Sequence, residues 1–446
     1  MKNIICVILA LIFSLSCVVV FAQPDYRGQS VIVALTDGEQ IIYSKNPDDR
    51  ISPSGLTKLF TALTAYDLKD MNETVIVAEN IEDYTSNLEI TARLKPGEML
   101  LFYDLLGAMV VGSANDAAYQ TAITCCGDIE TFVGKMNEKA KSMGLENTNF
   151  TNPTGIYDEN QYTSASDMLT IYKAFYKNEV LKKLVSSQRW IIEPTNVSKK
   201  RVYWTNNHLL STYYELKYFY NYAVSGKISS SSEGGYSIVA TAVKGGMNVI
   251  VIVLNSQLDQ GVNYSLVDAT KAFDYVFENY TPITAVKENE LICEIKVKNS
   301  ADASYTLANA KTQLKGVIKK TDSTDLIEKK VDVPQYVEAP LTKGDTVGCA
   351  SYHYNGYLLG DVELIVTEDI GFSAIKYVGN GIAWFFGLTA VKVVIALILI
   401  LFVAAALLFI YLVRKAEQKK KSRKTKQGRK EVTDFDYSIR PDCKCI

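Results

Sequence analysis

The 446-residue chain has only two histidines, His208 and His353, and neither has cysteines or carboxylates spaced around it as metal ligands would be. A metal centre and a histidine-based catalytic triad are therefore disfavoured. Proline is scarce, at 10 residues, and charged residues make up an ordinary 22%, a globular composition that excludes a collagen-like or disordered chain. No glycine-rich phosphate loop and no internal repeat interrupts it. Excess positive charge is also missing from the main body: residues 23–413 carry 34 basic against 44 acidic side chains, which argues against nucleic acid as a partner. Cysteine is too thinly spread for a disulfide framework. Of the eight, Cys6 and Cys17 lie in the first apolar run and Cys443 and Cys445 in the last segment. Cys293 and Cys349, each in a strand-like stretch of the same late region, are candidates to pair, a question the sequence leaves open, and Cys125 and Cys126, adjacent on a helix, are expected to be packed or free.

What is present in abundance is hydrophobic sequence at the two ends. Lys2 precedes an apolar run from Ile4 to Phe21, and Val20 and Ala22 stand at −3 and −1 of a cleavage site before Gln23, so 1–22 reads as a signal peptide. Val393 to Val413 is a run of 21 residues without a charge, enough at about 1.5 Å per residue to cross a core of about 30 Å. Trp384, Phe385 and Phe386 flank it on one side as interfacial anchors. On the other, Arg414 to Lys430 hold ten basic residues against Glu417 alone, which places the 414–446 tail in the cytoplasm and the long segment before the span outside it.

Between the ends the pattern is α+β. Ser30 to Leu35 and Gln40 to Tyr43 are apolar runs around Asp37-Gly38, a hairpin signal. Leu56, Leu59, Phe60 and Leu63 recur at helical spacing after Pro53 and a capping Ser54. Helices are expected over 103–111, 116–123, 129–143 and 166–177, and strands over 236–240 and 249–254, joined by Lys244-Gly245-Gly246. Strands at both ends with helices between make one domain of residues 25–280. From 285 to 370 short alternating segments with turns at Lys343-Gly344-Asp345 and Asn355-Gly356 predict a small antiparallel β-sandwich-like domain. A juxtamembrane linker, 371–392, then leads to the span at 393–413.

The segments Ile51-Ser52-Pro53, Leu56-Thr57-Lys58, Leu94-Lys95-Pro96-Gly97-Glu98, Ser113-Ala114-Asn115-Asp116, Met136-Asn137-Glu138-Lys139-Ala140, Asn152-Pro153-Thr154-Gly155 and Glu233-Gly234-Gly235-Tyr236 follow one another in an order that is itself informative. Together they resemble the serine-type D-alanyl-D-alanine carboxypeptidases, the low-molecular-mass penicillin-binding proteins, across nearly the whole segment outside the membrane. The resemblance implies a penicillin-binding/β-lactamase-like transpeptidase domain, an antiparallel sheet plus a helical region, followed by a small all-β domain and one C-terminal transmembrane helix. It implies no cofactor and no metal, and as partner a peptidoglycan stem peptide ending in D-Ala-D-Ala.

Such enzymes carry three motifs: S-x-x-K for nucleophile and base, S-x-N for proton transfer and substrate holding, and K-T-G on an edge strand for the substrate carboxylate. By resemblance Lys58 is the base, and Ser113 and Asn115 match S-x-N in full. The nucleophile position holds Gly55, and the third motif reads Lys227-Ile228-Ser229. The expectation is therefore a pseudoenzyme whose cleft, through Gly55, Lys227, Ile228 and Ser229, still meets the substrate. Ser54 is the fallback nucleophile, although a serine at a helix start is expected to cap the first turn with its hydroxyl. A non-catalytic envelope scaffold is the third possibility.

Overall fold

The computed structural model describes residues 24–84 and 90–433, so the apolar run of 1–22 lies outside the described residues. Packing divides the chain into two compact units. One comprises the residues through Cys293 with Ala308–Val333 and Thr346–Ile365; the other comprises Glu294–Leu307, Pro334–Asp345 and the residues from Val366 onward.

The first unit is organised by a five-stranded antiparallel sheet of order β2-β1-β5-β4-β3, where β1 is Ser30–Leu35, β2 Ile41–Lys45, β3 Ala223–Ser231, β4 Gly235–Lys244 and β5 Met247–Ser256. Every residue of β1 is buried, because both sheet faces are covered and alternate side chains enter different cores. Ile32, Ala34, Val239, Ile250 and Ile252 face the larger helical layer. Val31, Val33, Ile238, Val251 and Val253 face a second core. The turn between β4 and β5 uses Gly245 and Gly246 at φ +59° and +80°, the two left-handed positions that a tight hairpin requires.

The larger layer contains α1 (Thr57–Leu68), α2 (Phe102–Val110), α3 (Asn115–Cys126), α4 (Ile129–Ser142), α5 (Ala165–Lys177) and α6 (Glu179–Ser186). Local chemistry starts several of them. Asp128 caps α4 through the Thr131 N–H at 2.7 Å, and Ser164 caps α5 through the Asp167 N–H at 3.1 Å. Helix α1 departs from the expected amphipathic pattern: Thr57, Lys58, Thr61 and Thr64 are buried along with Leu59, Phe60 and Leu63, because the helix runs through the middle of the layer. Its start differs too. A 3₁₀ turn, Ser54–Leu56, precedes it, Pro53 is the cap residue, and no side chain caps the turn. On the other sheet face a single helix, α7 (Tyr264–Asn279), buries Leu266, Ala269, Phe273 and Val276.

Within the same unit Tyr280–Val286 pairs with Leu314–Lys319, and Thr346–Tyr354 lies between Ile327–Asp332 and Tyr357–Val366. The Gln40 side-chain amide bonds both backbone groups of Val317, at 2.8 Å each. The candidate Cys293–Cys349 disulfide is not formed: both cysteines are free. Cys349 lies opposite Asp332 and Glu363 on its neighbouring strands, and it alternates with the buried Ala350 and Tyr352, so its thiol leaves the strand on the far face. Cys293 belongs to another strand and falls in phase with the buried Ile295 and Val297.

In the second unit the end of strand Leu291–Lys298 pairs with Tyr336–Glu338 in parallel, from Lys296 opposite Tyr336 to Lys298 opposite Glu338, so the β module is not purely antiparallel. Two helices follow. Helix α8 (Ala374–Gly387) has no buried residue, and α9 (Thr389–Thr433) contains the uncharged run 393–413, long and apolar enough to cross a membrane.

A hairpin that the sequence pattern did not disclose, Arg189–Ile192 with Arg201–Trp204, holds the segment 92–98 in place. Glu98 is completely buried and ion-paired to Arg201, and it also accepts the Thr195 hydroxyl at 2.9 Å and the Lys95 N–H at 3.1 Å. Arg201 in turn donates to the Ala92 and Arg93 carbonyls at 3.1 and 3.2 Å. Glu98→Ala strands the guanidinium without its counter-charge and should lower unfolding free energy by about 3–5 kcal/mol in urea titration. A loss of only a few tenths of a kcal/mol, as at an exposed pair, would show that this bridge is not what holds the segment.

Candidate active site

An open cleft of about 530 Å³ lies where α1, the α2–α3 connection and edge strand β3 meet. Among its lining residues are Ser54, Gly55 and Lys58 from the first element, Ser113 and Asn115 from the second, and Ile228 and Ser229 from the third. The structure thus brings together in one place residues separated by up to 175 positions. Lys227 alone of the expected site residues is not on the wall.

Lys58 is 3% exposed, and its Nζ donates to the Thr154 carbonyl at 2.6 Å. Burial lowers its pKa to about 7, an effect that the nearby Asp116 carboxylate partly offsets. The acceptor is positioned by a local turn. The Asn152 Oδ1 accepts from the Thr154 N–H at 3.1 Å, the Thr154 hydroxyl at 2.8 Å and the Gly155 N–H at 2.8 Å, and the Pro153 carbonyl accepts from Thr61 Oγ1 at 2.7 Å. Gly155 is required by geometry: its φ is +87°, and a Cβ there would lie 1.8 Å from the Ser54 carbonyl oxygen.

Lys227 lies beneath this wall. Only 2% exposed, it donates to Ser113 Oγ at 2.6 Å and to the Val110 carbonyl at 2.8 Å. Burial, and then the proximity of Lys58, hold its pKa well below the ordinary lysine value. Its amine is therefore set back from the cleft wall and reaches the cleft through the Ser113 hydroxyl. Strand periodicity explains this, since Ser225, Lys227 and Ser229 point toward the helical layer, whereas Ile228 packs on the other core while its edge reaches the cleft.

Ser113 has φ +58° and Ser54 φ +48°, both in the left-handed region that non-glycine residues seldom occupy. Ser54 borders the cleft directly and makes no capping bond, contrary to the capping role expected of it. Asn115 begins α3, and its N–H donates to the Ile90 carbonyl at 2.9 Å. Asp116 is a site residue that the motif reading passed over. Its carboxylate accepts the Ala92, Leu94 and Ala117 N–H groups at 2.6, 3.0 and 2.9 Å, while burial raises its pKa. The signal was there in an acidic residue directly after S-x-N, but its acceptor role depends on a segment more than 20 residues away. His208 packs against Tyr214 and Tyr218. Among the described residues no group of His, Cys, Asp and Glu is arranged to hold a metal ion.

Comparison with known proteins agrees with this geometry. The family description D-alanyl-D-alanine carboxypeptidase matches residues 18–258, and that of the penicillin-binding protein 5 C-terminal domain matches 280–371. The chain is 27% identical over 356 residues to the D-alanyl-D-alanine carboxypeptidase DacF of Bacillus subtilis, covering 78% of this chain and 87% of that one. It is 26% identical to DacC of Escherichia coli, covering 74% and 81%. Among solved structures, penicillin-binding protein 5 from Haemophilus influenzae superposes with a TM-score of 0.66 at 24% identity, over 78% of this chain and 99% of that one.

The lowered Lys58 pKa has a consequence for stability. Between pH about 7 and the ordinary lysine value of 10.5 the unfolded chain holds a proton on this amine that the folded chain does not, so folding stability rises with pH across that window. Below about 7 both states are protonated and the cost of burying the ammonium is felt in full. Lys58→Met should therefore flatten the dependence of unfolding free energy on pH between 7 and 9.5, measured by urea titration. Equal slopes in the two proteins would mean that Lys58 is charged in the fold at neutral pH.

Proposed function

Because this chain belongs to the D-alanyl-D-alanine carboxypeptidase family, we propose that its cleft receives the D-Ala-D-Ala end of a peptidoglycan stem peptide without forming an acyl-enzyme. The observation that carries this reading is Gly55. Acyl transfer in this family requires a hydroxyl one helical turn before Lys58, and a glycine there has none to give. Loss of the nucleophile removes the covalent route outright, unlike loss of one hydrogen bond, which costs about 0.5–1.5 kcal/mol.

The groups that remain suit binding. Gly55 lies in the first turn of the segment leading into α1, where backbone N–H groups lack intrahelical acceptors and favour a carbonyl or carboxylate oxygen. Ser113, supported from below by Lys227, offers a hydroxyl, and Asn115 an amide. Ile228 stands where the family has threonine, so the carboxylate contact is weaker than in an active relative. The C-terminal helix α9 anchors the protein, and the basic residues from Arg414 to Lys430 orient it with the cleft outside the cytoplasm.

A second reading keeps hydrolase activity through Ser54, which borders the cleft four residues before Lys58. One experiment separates them. Purified protein incubated with a fluorescent penicillin should show no adduct by intact mass, whereas an adduct mapped to Ser54 would establish the second reading. Titration with a peptide ending in D-Ala-D-Ala should shift the amide resonances of Gly55 and Asn115, and amidating the peptide's C-terminus should remove the effect. No shifts at millimolar peptide would leave the protein as a scaffold.

A further inference from the structure

Three side chains of β3 face the helical layer, and two of them are satisfied. Ser225 Oγ is hydrogen-bonded to Tyr172 OH at 2.8 Å, and the Lys227 amine is held as described. The third, Ser229, is 7% exposed, and its buried hydroxyl has no hydrogen-bond partner among the described residues. No local bond therefore accounts for a hydroxyl at this position. What Ser229 does have is a neighbour with no side chain: a Cβ built on Gly55 would lie 3.2 Å from the Ser229 Cβ, closer than ordinary van der Waals contact. A side chain at position 55 would press on Ser229, and one of the two would have to give by a few tenths of an ångström. In the S-x-x-K and K-T-G motifs the helix position carries serine and the strand position glycine, and this chain has both reversed, as Gly55 and Ser229.

We infer that Gly55 and Ser229 are a reciprocal pair, with Ser229 filling the room that a side chain at position 55 would need and so acting as a second, independent block to acylation. The inference rests on the non-acylating reading of the cleft and adds to it. Interiors are close-packed, and a side chain forced into an occupied site displaces its neighbour or itself by tenths of an ångström. A nucleophile moved off its attack geometry reacts more slowly, and the cost grows with the displacement. Restoring serine at 55 is then insufficient, because Ser229 must also be removed.

The test is acylation by a fluorescent penicillin of the full chain and of Gly55→Ser, Ser229→Gly and Gly55→Ser/Ser229→Gly. In the reaction a serine Oγ–carbonyl bond forms, the lactam C–N bond breaks, and the hydroxyl proton passes to the lactam nitrogen, so the adduct adds the whole mass of the drug. The double variant should acylate at least tenfold faster than Gly55→Ser, with Ser229→Gly inert. Equal rates in Gly55→Ser and the double variant, or a folded double variant that stays unreactive, would overturn the inference and leave the non-acylating reading of the natural chain intact. An adduct on the natural chain would instead overturn that reading.

A cycle that needs no activity tests the same contact. Gly55→Ala should lower the melting temperature in the presence of Ser229 and do so distinctly less when Ser229 is replaced by glycine. Additive shifts would overturn the inference.

Discussion

Two lysine amines are buried within one small region, and the cleft is built around the need to satisfy both. Among the described residues neither has a carboxylate in hydrogen-bonding contact. Lys58 donates to one backbone carbonyl, and Lys227 to another and to a hydroxyl. A buried amine without such acceptors costs several kcal/mol, so the backbone must bring carbonyl groups to both. The Asn152 turn does this for Lys58, at the expense of a position that only glycine fills, and the end of α2 does it for Lys227 by leading into the left-handed Ser113. The Asp116 carboxylate, itself tied to the segment at Ala92 and Leu94, supplies the nearby negative charge that partly offsets Lys58's loss of hydration. Removing any one of these supports exposes a polar group that the others cannot reach.

The amine on α1 and the one on β3 also repel each other, which deepens the shift at Lys227. A site with two amines held toward the neutral form is suited to taking and passing protons, and here it sits beside a position with no hydroxyl to activate. The two amines are in place, and the residue three before Lys58 is Gly55, which brings no side chain to them.

Much of this was legible in the sequence. The helices after Tyr103, Asp116, Ile129 and Ser166 fall within a few residues of α2 to α5, because apolar periodicity and caps are local signals. Lys58, Ser113 and Asn115 were singled out by the family resemblance, and all three line one cleft. What was not legible depends on partners distant along the chain. Arg201 and Glu98 are 103 residues apart, and nothing near either announces the other. Lys227 was placed on a strand edge correctly, but the side to which its amine turns is fixed by strand register and by Ser113, 114 residues away. Whether Cys293 and Cys349 pair was open in the sequence for the same reason: alternation along each strand was visible, and strand neighbourhood was not. Ser54 looked like a helix cap because its type and place fit one, yet the packing of Gly155 against its carbonyl accompanies a different backbone conformation.

The strand order of the main sheet has a consequence for how the chain is made. Ser30 is opposite Leu254, so β1, among the first strands to be synthesised, lies between β2 and β5 in the finished sheet and waits for more than 200 residues before its second edge is covered. Contacts of such sequence separation slow folding, since the loop between them must close before any pairing rewards it. Until then the β1–β2 ribbon presents an apolar strand with an open edge, the kind of surface that associates with other chains. Truncation anywhere before residue 256 should therefore give an aggregating product rather than a smaller domain, because it leaves β1 without the strand that covers its second edge.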